Sequence, residues 1–164
     1  MDGKLSRGQL ITIVALRVLI GWHFLYEGLS KLSSPGWSAS GYLLQSRGPF
    51  SGLFRWMAAD PSVLSTVNQL NMWGLTAIGL GLILGCFTRL ASAAGLLVIL
   101  LFYLCNPPFV GYFYAIPTEG SYLVVNKNLV EAAALAVVMV TNSGRAAGLD
   151  WLIHGLLRRR GERP

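Results

Sequence analysis

A bundle of transmembrane α-helices is the fold class that this sequence predicts, and both its composition and its patterning indicate it. Of the 164 residues, 54% are hydrophobic and only 12% are charged, with a mean hydropathy of +0.55. Ordinary soluble domains carry about 25% charged residues. The apolar residues also lie in long blocks, and a helix needs roughly 20 of them to cross a bilayer. We therefore expect an all-α integral membrane protein with a single domain over residues 1–164, rather than a soluble globular monomer.

The apolar blocks predict a bundle of four transmembrane helices, at about residues 9–29, 67–85, 90–105 and 126–141. The first block follows basic residues as a signal peptide would, but Arg17 interrupts it and no small-residue cleavage site ends it. We interpret it as a retained first helix. The fourth block starts with polar residues, and the apolar stretch 129–140 supports it.

The distribution of basic residues predicts the orientation of these helices. Four spans place both termini on one side of the membrane, and that side receives Lys4, Arg7, Arg89, Arg145, Arg158, Arg159, Arg160 and Arg163. The other side receives Lys31, Arg47, Arg55 and Lys127. Basic residues concentrate in cytoplasmic loops. We therefore expect a multi-pass protein of a bacterial inner membrane with both termini in the cytoplasm, whose net charge of +6 meets lipid headgroups rather than nucleic acid.

Two segments outside the spans also show helical patterns. Short apolar patches in the first outer loop, residues 30–66, predict short helices at the outer interface. Apolar residues recur at spacings of three and four near the C-terminus, which predicts an amphipathic helix over residues 148–160.

The cysteines and histidines exclude several kinds of redox centre. Roughly 28 Å of helix separates Cys86 from Cys105, so they cannot form a disulfide within one chain. His23 and His154 are predicted on opposite faces of the membrane, which excludes a bis-histidine haem site. We find no haem, flavin or metal motif in the sequence and predict no metal site.

Ionisable and polar residues concentrate in the predicted outer halves of the spans. His23, Glu27 and Lys31 are spaced four apart on one face of the first span, and Glu27 can pair with either neighbour. The other spans place further polar groups at similar depth: Asn68, Gln69, Asn71 and Trp73, then Tyr103 and Asn106, and finally Lys127, Asn128 and Glu131. Ionisable residues inside a membrane are costly and usually functional. A purely structural set of ion pairs is the alternative.

A pocket of this kind suits proton-coupled chemistry. Histidine changes charge near neutral pH, and a carboxylate in apolar surroundings can titrate in the same range. A lipid-soluble quinone has carbonyl oxygens that would meet such groups at this depth. We therefore expect quinone as the cofactor, with the aromatic rings of Trp73 and Tyr103 against its ring.

Short motifs along the chain resemble the DoxX/DoxD-like membrane proteins. The first span has that family's order of an arginine, small glycines and a lysine, at Arg17, Gly21, Gly28 and Lys31. The second span and the turn after it fit at Gly79, Gly85, Thr88 and Arg89, and Lys127, Asn128 and Leu129 fit the start of the last helix. The resemblance implies a four-helix bundle and, for some members, a subunit of a quinone-linked oxidoreductase such as thiosulfate:quinone oxidoreductase.

These observations predict a quinone-reducing oxidoreductase subunit that accepts electrons from an extracytoplasmic dehydrogenase partner. His23 and Glu27 would exchange protons, with Glu131 as second acid. Lys31 and Lys127 would be cations that set the local electrostatic field, and Asn128 would donate a hydrogen bond. Arg17 would be a structural counter-ion or an anion clamp.

Two other functions, and the state of assembly, stay open at this point. A non-catalytic anchor or assembly factor would use the same polar cluster structurally. A small transporter would need an inner exit lined by polar groups, whereas the inner halves of spans two to four are apolar. Glycine-rich faces permit close helix contacts, within one bundle or in a homo-oligomer.

Overall fold

The computed structural model describes residues 6–115, 123–141 and 143–151, and this part of the chain is helical and contains no strand. The helices are α1 (Arg7–Leu32), α2 (Ser40–Leu44), α3 (Ser51–Ala59), α4 (Pro61–Leu84), α5 (Thr88–Cys105) and α6 (Lys127–Thr141), followed by a 3-10 turn at Ser143–Arg145. The all-α fold class predicted from the sequence is confirmed.

Three of these helices, α1, α4 and α5, are long and apolar enough to cross a membrane. The protein is therefore a membrane-embedded, multi-pass protein. Helix α6 has 15 residues and extends about 22 Å, less than the roughly 30 Å of a hydrocarbon core. Its packing is like that of the longer helices, since it buries Ala132, Leu135 and Val138. A fourth crossing by α6 remains a prediction.

Local capping determines where α1 and α4 begin. Ser6 and Gln9 form a reciprocal capping box at the start of α1. The carboxylate of Asp60 accepts hydrogen bonds from the backbone N–H groups of Ser62 and Val63, and Pro61 occupies the first turn of α4. Helix α4 therefore starts at Pro61 rather than near residue 67, because its first two turns are too polar for a hydropathy pattern to include.

Glycines bring α1 and α4 into close contact. A Cβ added to Gly79 of α4 would lie 2.4 Å from the backbone nitrogen of Leu25 in α1. A Cβ on Gly21 of α1 would lie 3.0 Å from the carbonyl oxygen of Gly79. The backbones touch without intervening side chains, which is how small residues promote helix association in membranes.

The interior is apolar, and so is the outer surface. Phe24, Leu82, Ile99, Leu135 and Val138 form a core shared by α1, α4, α5 and α6. Large apolar side chains also cover the surface of the same helices, among them Leu19, Leu70, Trp73, Leu97 and Val130, each at least 60% exposed. Helices that are apolar all round are typical of a bundle surrounded by lipid.

We name the two ends of the bundle by what lies there. The loop end is where α1 ends and α4 begins, and the turn end is where α1 begins and α4 turns into α5. At the loop end, α2 and α3 pack Leu43 and Phe54 against Cys105. The Tyr42 hydroxyl donates a 2.9 Å hydrogen bond to the carbonyl of Phe102, and burial raises the pKa of Tyr42, which keeps it protonated. Short helices were expected in this loop, and their position at a membrane interface remains a prediction.

At the turn end, the segment after α6 packs under the turn between α4 and α5. Phe87 adopts a left-handed conformation with a φ of 49°, which is costly for a residue other than glycine. The carboxylate of Asp150 accepts hydrogen bonds from the N–H groups of Phe87 (2.6 Å) and Thr88 (2.9 Å). Asp150 thereby holds the turn in place. The predicted amphipathic helix over residues 148–160 lies mostly outside the described residues.

Candidate functional site

A groove of about 560 Å³ lies between α1 and α6, in the loop-end half of the bundle. Its walls are mostly apolar, and its polar groups come from three ionisable side chains. The lining residues are Leu19, Ile20 and His23 of α1 with Lys127, Val130, Glu131 and Ala134 of α6. Their spacing of three and four residues places each set on one face of its helix. An apolar cleft with few polar groups is the usual form of a small-molecule site.

His23 and Glu131 join the two walls of this groove. Nδ1 of His23 lies 2.8 Å from Oε1 of Glu131. The Glu131 side chain is 13% exposed, whereas that of His23 is 51% exposed. The carboxylate is thus enclosed by protein and compensated by the imidazole, while part of the imidazole stays open to the groove. A carboxylate as enclosed as that of Glu131 has a large desolvation cost unless another polar group forms a hydrogen bond with it.

Glu27 and Lys31 form a second pair, one turn beyond His23 on α1. The Lys31 ammonium donates to the Glu27 carboxylate and also to the Glu27 carbonyl oxygen, at 3.2 Å. It lies 5.6 Å from the ring centre of Trp37, a cation–π contact. The four-residue spacing allows Glu27 to pair with either His23 or Lys31. In the structure Glu27 pairs with Lys31, and His23 pairs with Glu131 of α6 instead. The Glu27 pair lies towards the loop end and is not part of the groove lining.

Arg17 lies near the middle of α1, less than one turn from Ile20 towards the turn end, and is not part of the groove lining. It is 2% exposed, and its guanidinium donates to the carbonyl oxygen of Ala147 (2.8 Å) and the hydroxyl of Ser143 (3.4 Å). Burial alone would raise the pKa of nearby Asp150, but hydrogen bonds from Thr88 and Phe87 and the positive charge of Arg17 outweigh it and lower that pKa. Arg17 therefore connects α1 to the segment that supports the turn at Phe87.

The family model for DoxX matches residues 12–105. The chain belongs to the DoxX family. No curated protein and no solved structure matches it. The match runs from α1 through α5, so it includes Arg17 and His23. The α6 wall of the groove, with Lys127 and Glu131, lies outside the matched region of this DoxX protein.

Among the remaining predicted site residues of the DoxX protein, Lys127 lies in the groove and the others lie around it. Trp73 is 60% exposed on α4 and is not part of the groove lining. The Tyr103 hydroxyl donates a 2.9 Å hydrogen bond to the carbonyl of Val124, at the loop end. Lys127 lines the groove, and Asn128 follows it in the first turn of α6 and is half-buried. The structure thus brings together His23, Glu131 and Lys127 but not the two aromatic residues.

The sequence did not reveal two parts of the DoxX protein that matter for its polar network. Leu19, Ile20, Val130 and Ala134 form the apolar walls, and nothing distinguishes them from lipid-facing residues until the helices are packed. Asp150 is the second part, since it lies in the tail outside every predicted span. Asp150 follows a predicted span closely, and Arg17 is a cation inside another span. These two features were the available signal that Arg17 and Asp150 interact.

Proposed function

We propose that this DoxX protein is the membrane subunit of a quinone-linked oxidoreductase system and that it binds quinone in the groove between α1 and α6. The observation that carries the proposal is His23, half exposed in an apolar groove, with one ring nitrogen bonded to Glu131 and the other making no hydrogen bond within the described residues. A ligand with an apolar ring and a polar oxygen would satisfy both features of this surface.

The groove fits such a ligand in size and chemistry. About 560 Å³ lies within the range of about 300–1,000 Å³ that is usual for small-molecule sites. Leu19, Ile20 and Val130 offer an apolar surface for the ring and tail, and Val130 is also exposed to the surroundings of the bundle. Entry from the bilayer, without passage through water, suits a lipid-soluble molecule.

Bound quinone would supply two-electron redox chemistry coupled to two protons, and the chain supplies groups that bind it and move protons. His23 exchanges a proton at the ligand oxygen. Lys127, at the end of the groove nearer the loop end, stabilises negative charge there. Glu27 and Lys31 extend the polar face of α1 towards the loop end, where protons are exchanged with water. Electrons come from an extracytoplasmic dehydrogenase partner that carries its own redox cofactor.

A membrane anchor or assembly factor is the second candidate function, and the Arg17 network favours it. Contacts among Arg17, Ser143, Ala147 and Asp150 hold the turn end together, and none of these residues lines the groove. In this case the His23–Glu131 pair stabilises the contact between α1 and α6 and binds nothing.

Binding of a short-tail quinone analogue to the purified protein in lipid nanodiscs distinguishes a quinone-binding subunit from an anchor or assembly factor. We expect saturable binding by the wild type and at least a tenfold weaker Kd in His23→Leu, equivalent to about 1.4 kcal/mol. Tyr26→Leu is the matched control, because Tyr26 is 61% exposed on the same helix and is not part of the groove lining. Absence of saturable binding by folded wild type, or equal loss in Tyr26→Leu, would contradict the quinone site and favour the anchor.

A further inference from the structure

The two ring nitrogens of His23 have different surroundings. Nδ1 lies 2.8 Å from the Glu131 carboxylate. Nε2 makes no hydrogen bond within residues 6–115, 123–141 and 143–151, and the half-exposed ring borders the groove. Only one of the two nitrogens is therefore available to a ligand.

The identity of the partner determines where the proton of the neutral ring lies. A carboxylate has no hydrogen to give and accepts only, so a hydrogen bond to it needs the proton on Nδ1. Glu131 is 13% exposed, and hydrogen bonds to ionised groups are stronger in such surroundings than in water.

We infer that Glu131 is a positioning residue, which holds a proton on Nδ1 of His23 and so presents Nε2 to the oxygen atom of the groove ligand. The inference rests on the proposed function for the identity of that ligand. With a neutral ring, Nε2 accepts a hydrogen bond from a hydroquinone hydroxyl. With a protonated ring, it donates to a quinone carbonyl. Glu131 acts through His23 in both cases, which is a narrower role than that of a second acid.

The other charged groups around His23 do not offer the same geometry. Glu27 lies on the same helix and bonds Lys31. Lys127 is a cation on the groove wall and has no acceptor for a ring N–H. Helix α4 has no charged residue, and the one charged residue of α5, Arg89, lies at its turn-end start. Glu131 is thus the carboxylate positioned to select the tautomer.

Nitrogen NMR of ¹⁵N-histidine-labelled protein in nanodiscs tests this directly, without any ligand. His154→Asn leaves His23 as the sole histidine. The spectrum is recorded about three pH units above the ordinary histidine pKa of about 6.5, so that the ring is neutral. We expect the proton on Nδ1. In Glu131→Leu the ratio of Nδ1-protonated to Nε2-protonated ring should fall about fivefold, the ratio set by about 1 kcal/mol of hydrogen bonding.

Two further variants separate positioning from a general structural effect. Glu131→Gln keeps a carbonyl oxygen as acceptor and should retain the Nδ1-protonated ring. Glu27→Gln removes a carboxylate that bonds Lys31 and should leave the ratio unchanged. Two results would overturn the inference: a proton on Nε2 in the wild type, or an unchanged tautomer ratio in folded Glu131→Leu. If Glu131→Leu does not fold, the wild-type spectrum alone decides.

The same sample separates this inference from the proposed function. Addition of the short-tail quinone analogue should shift the Nε2 resonance more than the Nδ1 resonance. A shift confined to Nδ1 would overturn the presentation of Nε2. Lack of any quinone binding would contradict the proposed function alone, because the tautomer of the ligand-free protein is measured separately.

Discussion

Gly28 of α1 lies directly against Thr76 of α4. A Cβ on Gly28 would come within 2.4 Å of the Thr76 hydroxyl oxygen and 2.6 Å of its backbone nitrogen, distances at which atoms overlap. The Thr76 hydroxyl is already occupied, because it donates a 2.8 Å hydrogen bond to the carbonyl of Met72. This contact, with those at Gly21 and Gly79, fixes how α1 crosses α4 and hence which face of α1 meets α6.

Gly28→Ala is therefore expected to destabilise the protein, since the added methyl meets backbone and not only a flexible side chain. We expect a loss of about 1–3 kcal/mol, the usual cost of overpacking. Gly74→Ala is the control, because a Cβ there meets nothing within 4 Å and alanine favours a helix over glycine by about 1 kcal/mol. Unfolding of both variants in mixed micelles measures this, and equal stabilities would contradict the close contact.

Removal of the buried Arg17 charge should also destabilise the protein. Arg17→Met keeps most of the apolar stem and leaves the Ala147 carbonyl without its donor, at a cost of about 1–3 kcal/mol. Arg89→Met removes an exposed cation at the same end of the bundle and should have little effect. A thermal midpoint for Arg17→Met equal to that of Arg89→Met would show that the network does not stabilise the fold.

The stability of the folded protein should depend on the ionisation of Asp150 at acid pH. Its pKa is lowered in the folded protein, so its contribution to stability is complete above the unfolded value of about 3.9 and is lost as the pH falls through the lower folded value. Asp150→Asn should therefore be less stable than the wild type at neutral pH, and the difference should narrow near pH 3. A difference in thermal midpoint that stays constant between these two conditions would contradict this assignment.

The Tyr42 hydroxyl attaches α2 to the end of α5. Tyr42→Phe removes its 2.9 Å hydrogen bond to the Phe102 carbonyl and should cost about 0.5–1.5 kcal/mol. Tyr112→Phe is the matched change at a more exposed tyrosine of the same end. Thermal unfolding of the two variants compares them, and a loss in Tyr112→Phe as large as in Tyr42→Phe would contradict this role for the hydroxyl.

Hydropathy and helix period were enough to predict the long helices, because burial in lipid and burial in protein both select apolar residues. They could not predict that α4 begins at Pro61, where the signal is a cap at Asp60 rather than an apolar residue. The short helices α2 and α3 were expected in the first outer loop without exact bounds, since their stability depends on packing of residues such as Phe54 against Cys105.

The candidate site was predicted in its residue types but not in its pairs. Four-residue spacing placed His23, Glu27 and Lys31 on one face, which a helix imposes whatever its neighbours. The choice of Glu131 as partner of His23 depends on the rotation and crossing of α1 and α6, which close contacts such as that of Gly28 determine. Helix rotation and crossing also explain why Trp73 and Tyr103, which were expected beside the quinone ring, lie outside the groove.

Photo-crosslinking with a quinone analogue shows whether the groove between α1 and α6 binds quinone. Protein in nanodiscs is irradiated with a photoreactive quinone analogue, with and without excess unlabelled quinone, and the labelled peptides are sequenced by mass spectrometry. We predict competed labelling of residues 19–23 and 127–134, which form the groove walls. Labelling confined to other surfaces, or labelling that excess quinone does not reduce, would contradict a quinone site in this groove.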